Sequence, residues 1–192
     1  MIVLEDGSLL YHGSYTEIHD IDLSCCNAGL DFGKGFYLTS SYEQAISFVR
    51  NSVKRNIRTG HIPADFRLED GAVSTFRYTR SKDVSLHIFQ GPDVEWLHFV
   101  ASNRNDRLFR DEAARLASID IIGGKIADDN TAAVLNLYVT GAYGEPGTER
   151  ADSFAIELLL PNRLQDQFCF RSETALNTLE FVKGERYGQI VR

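Results

Sequence analysis

The chain has 192 residues, 43% of them hydrophobic and 24% charged, with a net charge of −7. A chain of this length is expected to form one domain over 1–192, burying about 70% of its unfolded surface without a metal or disulfide to hold the core. The acidic balance disfavours non-specific binding to nucleic acid or an anionic membrane. Three cysteines, two of them adjacent, imply no disulfide framework, and five scattered histidines without a Cys-x-x-Cys pair argue against zinc.

At the N-terminus, Met1 to Gly7 lacks the basic and apolar regions of a signal peptide, and no later stretch approaches the ~20 apolar residues of a membrane span. A cytoplasmic location and no membrane partner are expected. Ser8 to His12 reads as a short buried strand ending at Gly13, followed by a long connection over residues 14–34. Gly35 to Thr39 reads as a second strand. Ser40 and Ser41 are N-cap candidates for a helix to about Arg55, whose Ala45, Phe48 and Val49 share an apolar face. Its Arg50, Lys54, Arg55 and Arg58 form a candidate basic patch. Residues 56–70 read as loop, and Val73 to Tyr78 alternates as a half-buried strand does.

Leu86, Ile88 and Phe89 suggest another short strand. A helix opening at Pro92 is expected to stop near Asn103 to Asp106. Ile119 to Gly124 reads as a buried strand, and Asp128 or Asp129 as the cap of a helix through Tyr138. Gly141 to Gly147 is loop, Phe154 to Leu160 is read as helix, and Pro161-Asn162 ends it. A strand through Phe168 and Phe170, a helix from Thr174 to Leu179 and a last strand from Phe181 complete the chain. Strands at both ends with little βα alternation predict an α+β fold with antiparallel sheet.

The Gly33-Lys34-Gly35 turn lacks the spacing of a phosphate-cradling Walker loop, and strand follows where a dinucleotide fingerprint needs helix. No Gly-x-Ser-x-Gly supplies a serine nucleophile, and nothing in the sequence marks Cys25 or Cys26 as an activated thiol paired with His12 or His19. An aromatic pair such as Tyr37 and Phe48 suits a flat cationic ring, through stacking and cation–π attraction. Glycine at 13 leaves backbone groups open to a carboxamide.

Taken together, His12-Gly13-Ser14 and Gly35-Phe36-Tyr37 resemble the nucleotide site of the ADP-ribosyltransferase superfamily, in its diphtheria-toxin and poly(ADP-ribose)-polymerase branch. That branch uses a His-Tyr-Glu arrangement, with a further aromatic eleven residues after the tyrosine; here that residue is Phe48. Its glutamate strand corresponds to Gln167-Phe168-Cys169-Phe170, so Gln167 stands where the branch has glutamate. The Tyr-His-Gly-Ser start, the Asp-Phe-Gly-Lys-Gly-Phe-Tyr-Leu-Thr run, the Phe-Val-Ala-Ser-Asn-Arg stretch and the Gln-Phe-Cys-Phe-Arg-Ser end are also similar to a bacterial domain family of unknown function with this fold.

The resemblance implies split antiparallel sheets with flanking helices. It implies NAD as co-substrate and no metal, with His12, Gly13, Ser14, Lys34, Gly35, Tyr37 and Phe48 around the nucleotide and His12, Tyr37 and Gln167 as the catalytic set. It further implies transfer of ADP-ribose to a macromolecule, protein favoured over nucleic acid by the acidic balance, and a toxin kept in check by an antitoxin. A catalytically inactive NAD-binding sensor and an NAD glycohydrolase are the alternatives. Asp31, Asp128 and Glu173 are candidates to supply the carboxylate that Gln167 lacks.

Overall fold

The computed structural model describes residues 1–125, 129–159 and 165–191. Its elements in chain order are β1 (Leu9–Ser14), β2 (Phe36–Thr39), α1 (Tyr42–Arg58), β3 (Ala72–Tyr78), β4 (Leu86–Ile88), α2 (Val94–Arg104) and α3 (Arg110–Arg115). They continue with β5 (Ile121–Lys125), α4 (Asp129–Val139), α5 (Glu149–Leu158), β6 (Asp166–Phe170), α6 (Glu173–Leu176), β7 (Leu179–Arg186) and α7 (Tyr187–Ile190). The α+β class is as the sequence implies. The strands form a seven-stranded sheet in the order β4-β5-β6-β2-β1-β3-β7.

Every neighbouring pair is antiparallel except β4 and β5, which run parallel. The exception follows from connectivity. Parallel neighbours need a crossover, and the two helices α2 and α3 lie between β4 and β5 in the chain. The halves of the sheet meet at β1 and β2, whose ladder has a single register pair, Tyr11↔Thr39. By contrast β1 pairs with β3 from Leu9↔Arg77 to Ser14↔Ala72, and β2 pairs with β6 from Phe36↔Phe170 to Thr39↔Gln167. The sheet is therefore continuous in order but splayed open between β1 and β2.

Alternation along the strands sorts side chains onto two faces. One face carries Leu10, Phe36, Leu38, Phe76, Phe168 and Phe170. Ile2 and Leu4 from the N-terminal arm, Ile18, Ile21 and Leu23 from the long connection, and Leu176 of α6 cover it. This is what the 14–34 connection does physically: it spreads apolar side chains over a sheet face.

The other face is covered in two separate patches. Ala45, Val49 and Val53 of α1 pack on Val73, and Trp96, Leu97 and Val100 of α2 belong to the cluster containing Ile122 and Cys169. Burying one such aromatic or aliphatic side chain contributes about 1.5–3 kcal/mol, so each patch anchors its helix firmly.

Helix ends are set by side-chain caps. Ser41 accepts from Gln44 N–H at the start of α1, with Glu43 in the first turn. At α2 it is Asp93, one residue after the expected Pro92, that accepts from Trp96 N–H. Thr148 caps α5, which starts five residues before the expected Phe154 because Ala151 and Ala155, small but fully buried, form its inner face. The six-residue α3 has no apolar period to announce it, and neither has the four-residue α7. The expected cap Asp128 and the expected stop at Pro161-Asn162 lie outside the described residues.

Candidate functional site

The splay between β1 and β2 is spanned by His12. Its imidazole Nδ1 lies 2.8 Å from the Tyr37 carbonyl oxygen, beside the Phe36 ring at 4.6 Å between centroids. A carbonyl only accepts, so Nδ1 carries the proton and the neutral ring keeps Nε2 as an acceptor. Burial lowers the His12 pKa from its ordinary 6.5; the bond to the Tyr37 carbonyl opposes this and the positive charge of Arg55 adds to it. His12 therefore presents a fixed, uncharged acceptor where two strands part.

Gly13 is next along β1, on the α1 side of the sheet. A Cβ there would collide with the Ala45 carbonyl oxygen. The absence of a side chain lets α1 lie directly on β1, so helix packing is one physical reason for glycine at this position. Ser14, the last residue of β1, is buried opposite Ala72.

Tyr37 occupies the face opposite to Phe36. Its hydroxyl accepts from Phe32 N–H at 3.0 Å and donates to the Gly33 carbonyl at 2.6 Å. Gly33 takes φ +81°, a left-handed conformation that favours glycine. The phenol thus ties down the turn that feeds its own strand. Burial, with Cys169 beside it, raises its pKa far above the physiological range, so it is no proton-transfer base. The ring stacks on Phe32 at 6.4 Å and 11°.

The same turn is held from outside. Arg104 donates through Nε and Nη2 to Asp31 Oδ1 at 3.0 and 2.6 Å, and Asn103 Nδ2 donates to the Asp31 carbonyl at 3.0 Å. Both residues end α2 and help position the Asp31–Gly33 turn, while Arg104 Nη1 also donates to Asn136 Oδ1 at 3.0 Å.

Gln167 lies on the same side of the sheet as Tyr37. The registers Gly124↔Gln167, Gln167↔Thr39 and Thr39↔Tyr11 put these residues in one row across β5, β6, β2 and β1. Gln167 is buried at 9% exposure, and its amide has no hydrogen bond among the described residues. Its neighbour Thr39 is fully engaged: Oγ1 lies 2.5 Å from Gln44 Oε1 and 3.0 Å from the Asp166 carbonyl, and accepts from Ser41 N–H. The Thr39–Gln44 bond fixes one flank of α1 towards β2. Phe48, one turn beyond Gln44, is half-buried on that same flank. Tyr37, Thr39, Gln167 and Phe48 are therefore brought to one side of the sheet; the His12 ring lies on the Phe36 face and reaches β2 through its bond to the Tyr37 carbonyl. Among the described residues the Tyr37 ring pairs with Phe32, and Phe48 enters no ring pair.

Lys34 and Gly35 lie at the other end of β2. A Cβ on Gly35 would meet Cys169 Sγ at 2.5 Å and the Phe170 carbonyl at 2.6 Å. Lys34 lines a cavity with Arg171, about 13 Å from Gln167 along the ladder. Of the candidate carboxylates, Asp31 is engaged by Arg104, Glu173 opens α6 beyond the Arg171 end, and Asp128 lies outside the described residues. The thiols offer no dyad: Cys25 bonds Asp22, His19 bonds Glu17, and burial pushes Cys169 up to about 12. Among the described residues no group of His, Cys, Asp or Glu could hold a metal ion.

A second polar cluster was invisible in the sequence. Asp152, 4% exposed, accepts from His98 Nε2 at 2.7 Å, Tyr138 hydroxyl at 2.5 Å and Gly147 N–H at 3.0 Å. The Phe109 ring lies on His98 at 3.8 Å and 8°. The cluster joins α2, α4 and α5 behind the Trp96 patch; its side-chain partners are 14 and 54 residues from Asp152, and no local pattern signals them.

Residues 8–181 match a family described as a protein of unknown function (DUF3990). The chain belongs to that family. The match runs from the start of β1 into β7, so it includes every residue of the candidate site. The chain matches no curated protein and no solved structure. No helix among the described residues is long and apolar enough to cross a membrane.

Proposed function

We propose that this member of the family is an NAD-consuming ADP-ribosyltransferase, with the co-substrate in the cleft where β1 and β2 part. The observation that carries the reading is the grouping of Tyr37, Thr39, Gln167 and Phe48 on one side of that splay, with neutral His12 bonded to the Tyr37 carbonyl from the Phe36 face. The resemblance of the His12-Gly13-Ser14 and Gly35-Phe36-Tyr37 segments to the ADP-ribosyltransferase nucleotide site supports it.

In this reading Phe48 and the free side of the Tyr37 ring flank the nicotinamide, and His12 Nε2 accepts from a ribose hydroxyl. The glycosidic bond to nicotinamide breaks and its electron pair leaves with the neutral ring. Positive charge develops on the ribose carbon, and the acceptor's nucleophile attacks it and loses its proton. Gln167 hydrogen-bonds the ribose 2′-hydroxyl but supplies no charge. A missing preorganised electrostatic contact of this kind costs about 3 kcal/mol, or roughly two orders of magnitude in rate. The reaction is therefore slow and confined to a single transfer, onto a protein acceptor. A cytoplasmic toxin restrained by an antitoxin is the setting that the resemblance suggests.

The uncharged Gln167 equally favours a second reading, an NAD-binding sensor without turnover. NAD labelled on its adenylate, incubated with the pure protein with and without cell lysate, separates the readings. Transfer puts label on protein. Hydrolysis releases nicotinamide and ADP-ribose without labelled protein. Intact NAD after long incubation contradicts the enzymatic reading and leaves the sensor.

A further inference from the structure

We propose that the cavity at the start of β2, between Lys34, Arg171 and Ser118, binds a small molecule through a phosphate group. The cavity measures about 660 Å³, within the range of small-ligand sites. Four segments far apart in sequence meet there: the 3-10 turn at Leu23–Cys25, the turn carrying Lys34, the link from α3 to β5, and the end of β6. It is separate from the Gln167 row, being at the opposite end of the β2–β6 ladder.

The donors are arranged for an anion. Lys34 is exposed and makes no hydrogen bond or ion pair among the described residues. Arg171 spends Nη1 on the Leu116 carbonyl at 2.7 Å and the Ile119 carbonyl at 3.4 Å. Those bonds fix the guanidinium plane and leave the Nε and Nη2 protons for a ligand. The aliphatic stem of Arg171 passes close to Gly35, where a Cβ would lie 3.2 Å from its Cγ. The Ser118 hydroxyl adds a neutral donor at the rim.

One carboxylate, Asp120, lines the same cavity and opposes an anion. Its oxygens are already occupied. Oδ1 accepts from Ser172 Oγ at 2.5 Å, and Oδ2 accepts from Ser85 N–H at 2.9 Å and Ser85 Oγ at 2.7 Å. Asp120 thus acts as a staple between β4, β5 and α6, and it does not neutralise Lys34. A phosphate dianion gains from two cations, one with a fork of oriented donors, and is opposed by two carboxylates, Asp22 near Lys34 and Asp120 near Arg171, the latter holding its place through three donors. A singly charged carboxylate ligand gains about half as much from the cations and meets about half the repulsion; phosphate is favoured by its additional acceptor oxygens, which can engage Lys34, the Arg171 fork and the Ser118 hydroxyl together.

Inorganic phosphate and pyrophosphate, titrated into the full-length chain at low ionic strength and followed by amide NMR, test this. Saturable shifts at Lys34, Ser118 and Ser172 with a dissociation constant of about 1 mM or tighter are expected. Lys34→Gln should weaken binding about tenfold, while Lys54→Gln, which removes an exposed cation from α1, should leave it unchanged. No saturation would overturn the proposal. So would equal weakening in both variants, which would mean diffuse charge attraction, or shifts centred on His12 and Phe48, which would put the phosphate in the other cleft.

Discussion

Gln167→Glu is expected to raise nicotinamide release from NAD by about two orders of magnitude, corresponding to the roughly 3 kcal/mol of a preorganised electrostatic contact. The substitution preserves shape, and the wild-type amide forgoes no described protein hydrogen bond when it is replaced. The neighbouring geometry should survive, because Thr39 is held by Gln44 and the Asp166 carbonyl and not by Gln167. A carboxylate at 9% exposure carries a desolvation penalty, so part of the gain appears only above the raised pKa of the new group. The pH profile of the variant should therefore rise with an acid limb absent from the wild type. Gln167→Ala serves as the control and should be slower than wild type. Unchanged or reduced turnover in Gln167→Glu, with the melting temperature preserved, would mean that the amide has its own role in the reaction.

Gly13→Ala is expected to cost 3 kcal/mol or more of stability, read as a fall of about 6–12 °C in melting temperature for a chain of this size. The added methyl meets the Ala45 backbone, which cannot rotate away as a side-chain tip can. Relief requires α1 to lift from β1, and Ala45 and Val49 beneath it are fully buried. The same lift would carry Phe48 and Gln44 away from β2, so NAD binding should weaken together with stability. A melting temperature within about 2 °C of wild type would contradict this account of Gly13.

The contrast between Gly13 and Tyr37 shows what a sequence carries. Glycine after His12 was legible as a place of close approach, but what approaches was not: it is α1, through a contact more than thirty residues away in the chain. Tyr37 was legible as a residue fixed by its turn. The means of fixing it, a hydroxyl shared between Phe32 and Gly33, depends on the left-handed turn and on Asp31 being held by Arg104. Local signals did well where local physics rules. The Ser41 cap opens α1, and Val73 to Tyr78 is strand as expected, though buried on both faces and not half-buried, with Ser74 and Thr75 also buried. They failed where long-range pairing decides, as in the parallel β4–β5 pair and the Asp152 cluster. Thr39 and Gln44 belong to this second class; their bond aims the Phe48 flank at the cleft, yet neither type at that spacing has a recognisable signature.

Lys34 moved furthest. In sequence it lies two residues from the strand that carries Tyr37, and the resemblance places it near the nucleotide. In the fold its turn delivers it to the Arg171 end of the ladder. Four residues of β6 and its extension, from Gln167 to Arg171, suffice to separate the Gln167 row from the Arg171 cavity by about 13 Å, because a strand advances roughly 3.3 Å per residue.

The most direct test of the central claim is the footprint of NAD on the wild-type chain. Titration followed by amide NMR should give saturable shifts concentrated at His12, Gly13, Tyr37, Phe48 and Gln167, with nicotinamide alone reproducing the subset around Tyr37 and Phe48. Absence of saturable shifts, or shifts confined to residues away from the splay between β1 and β2, would contradict it.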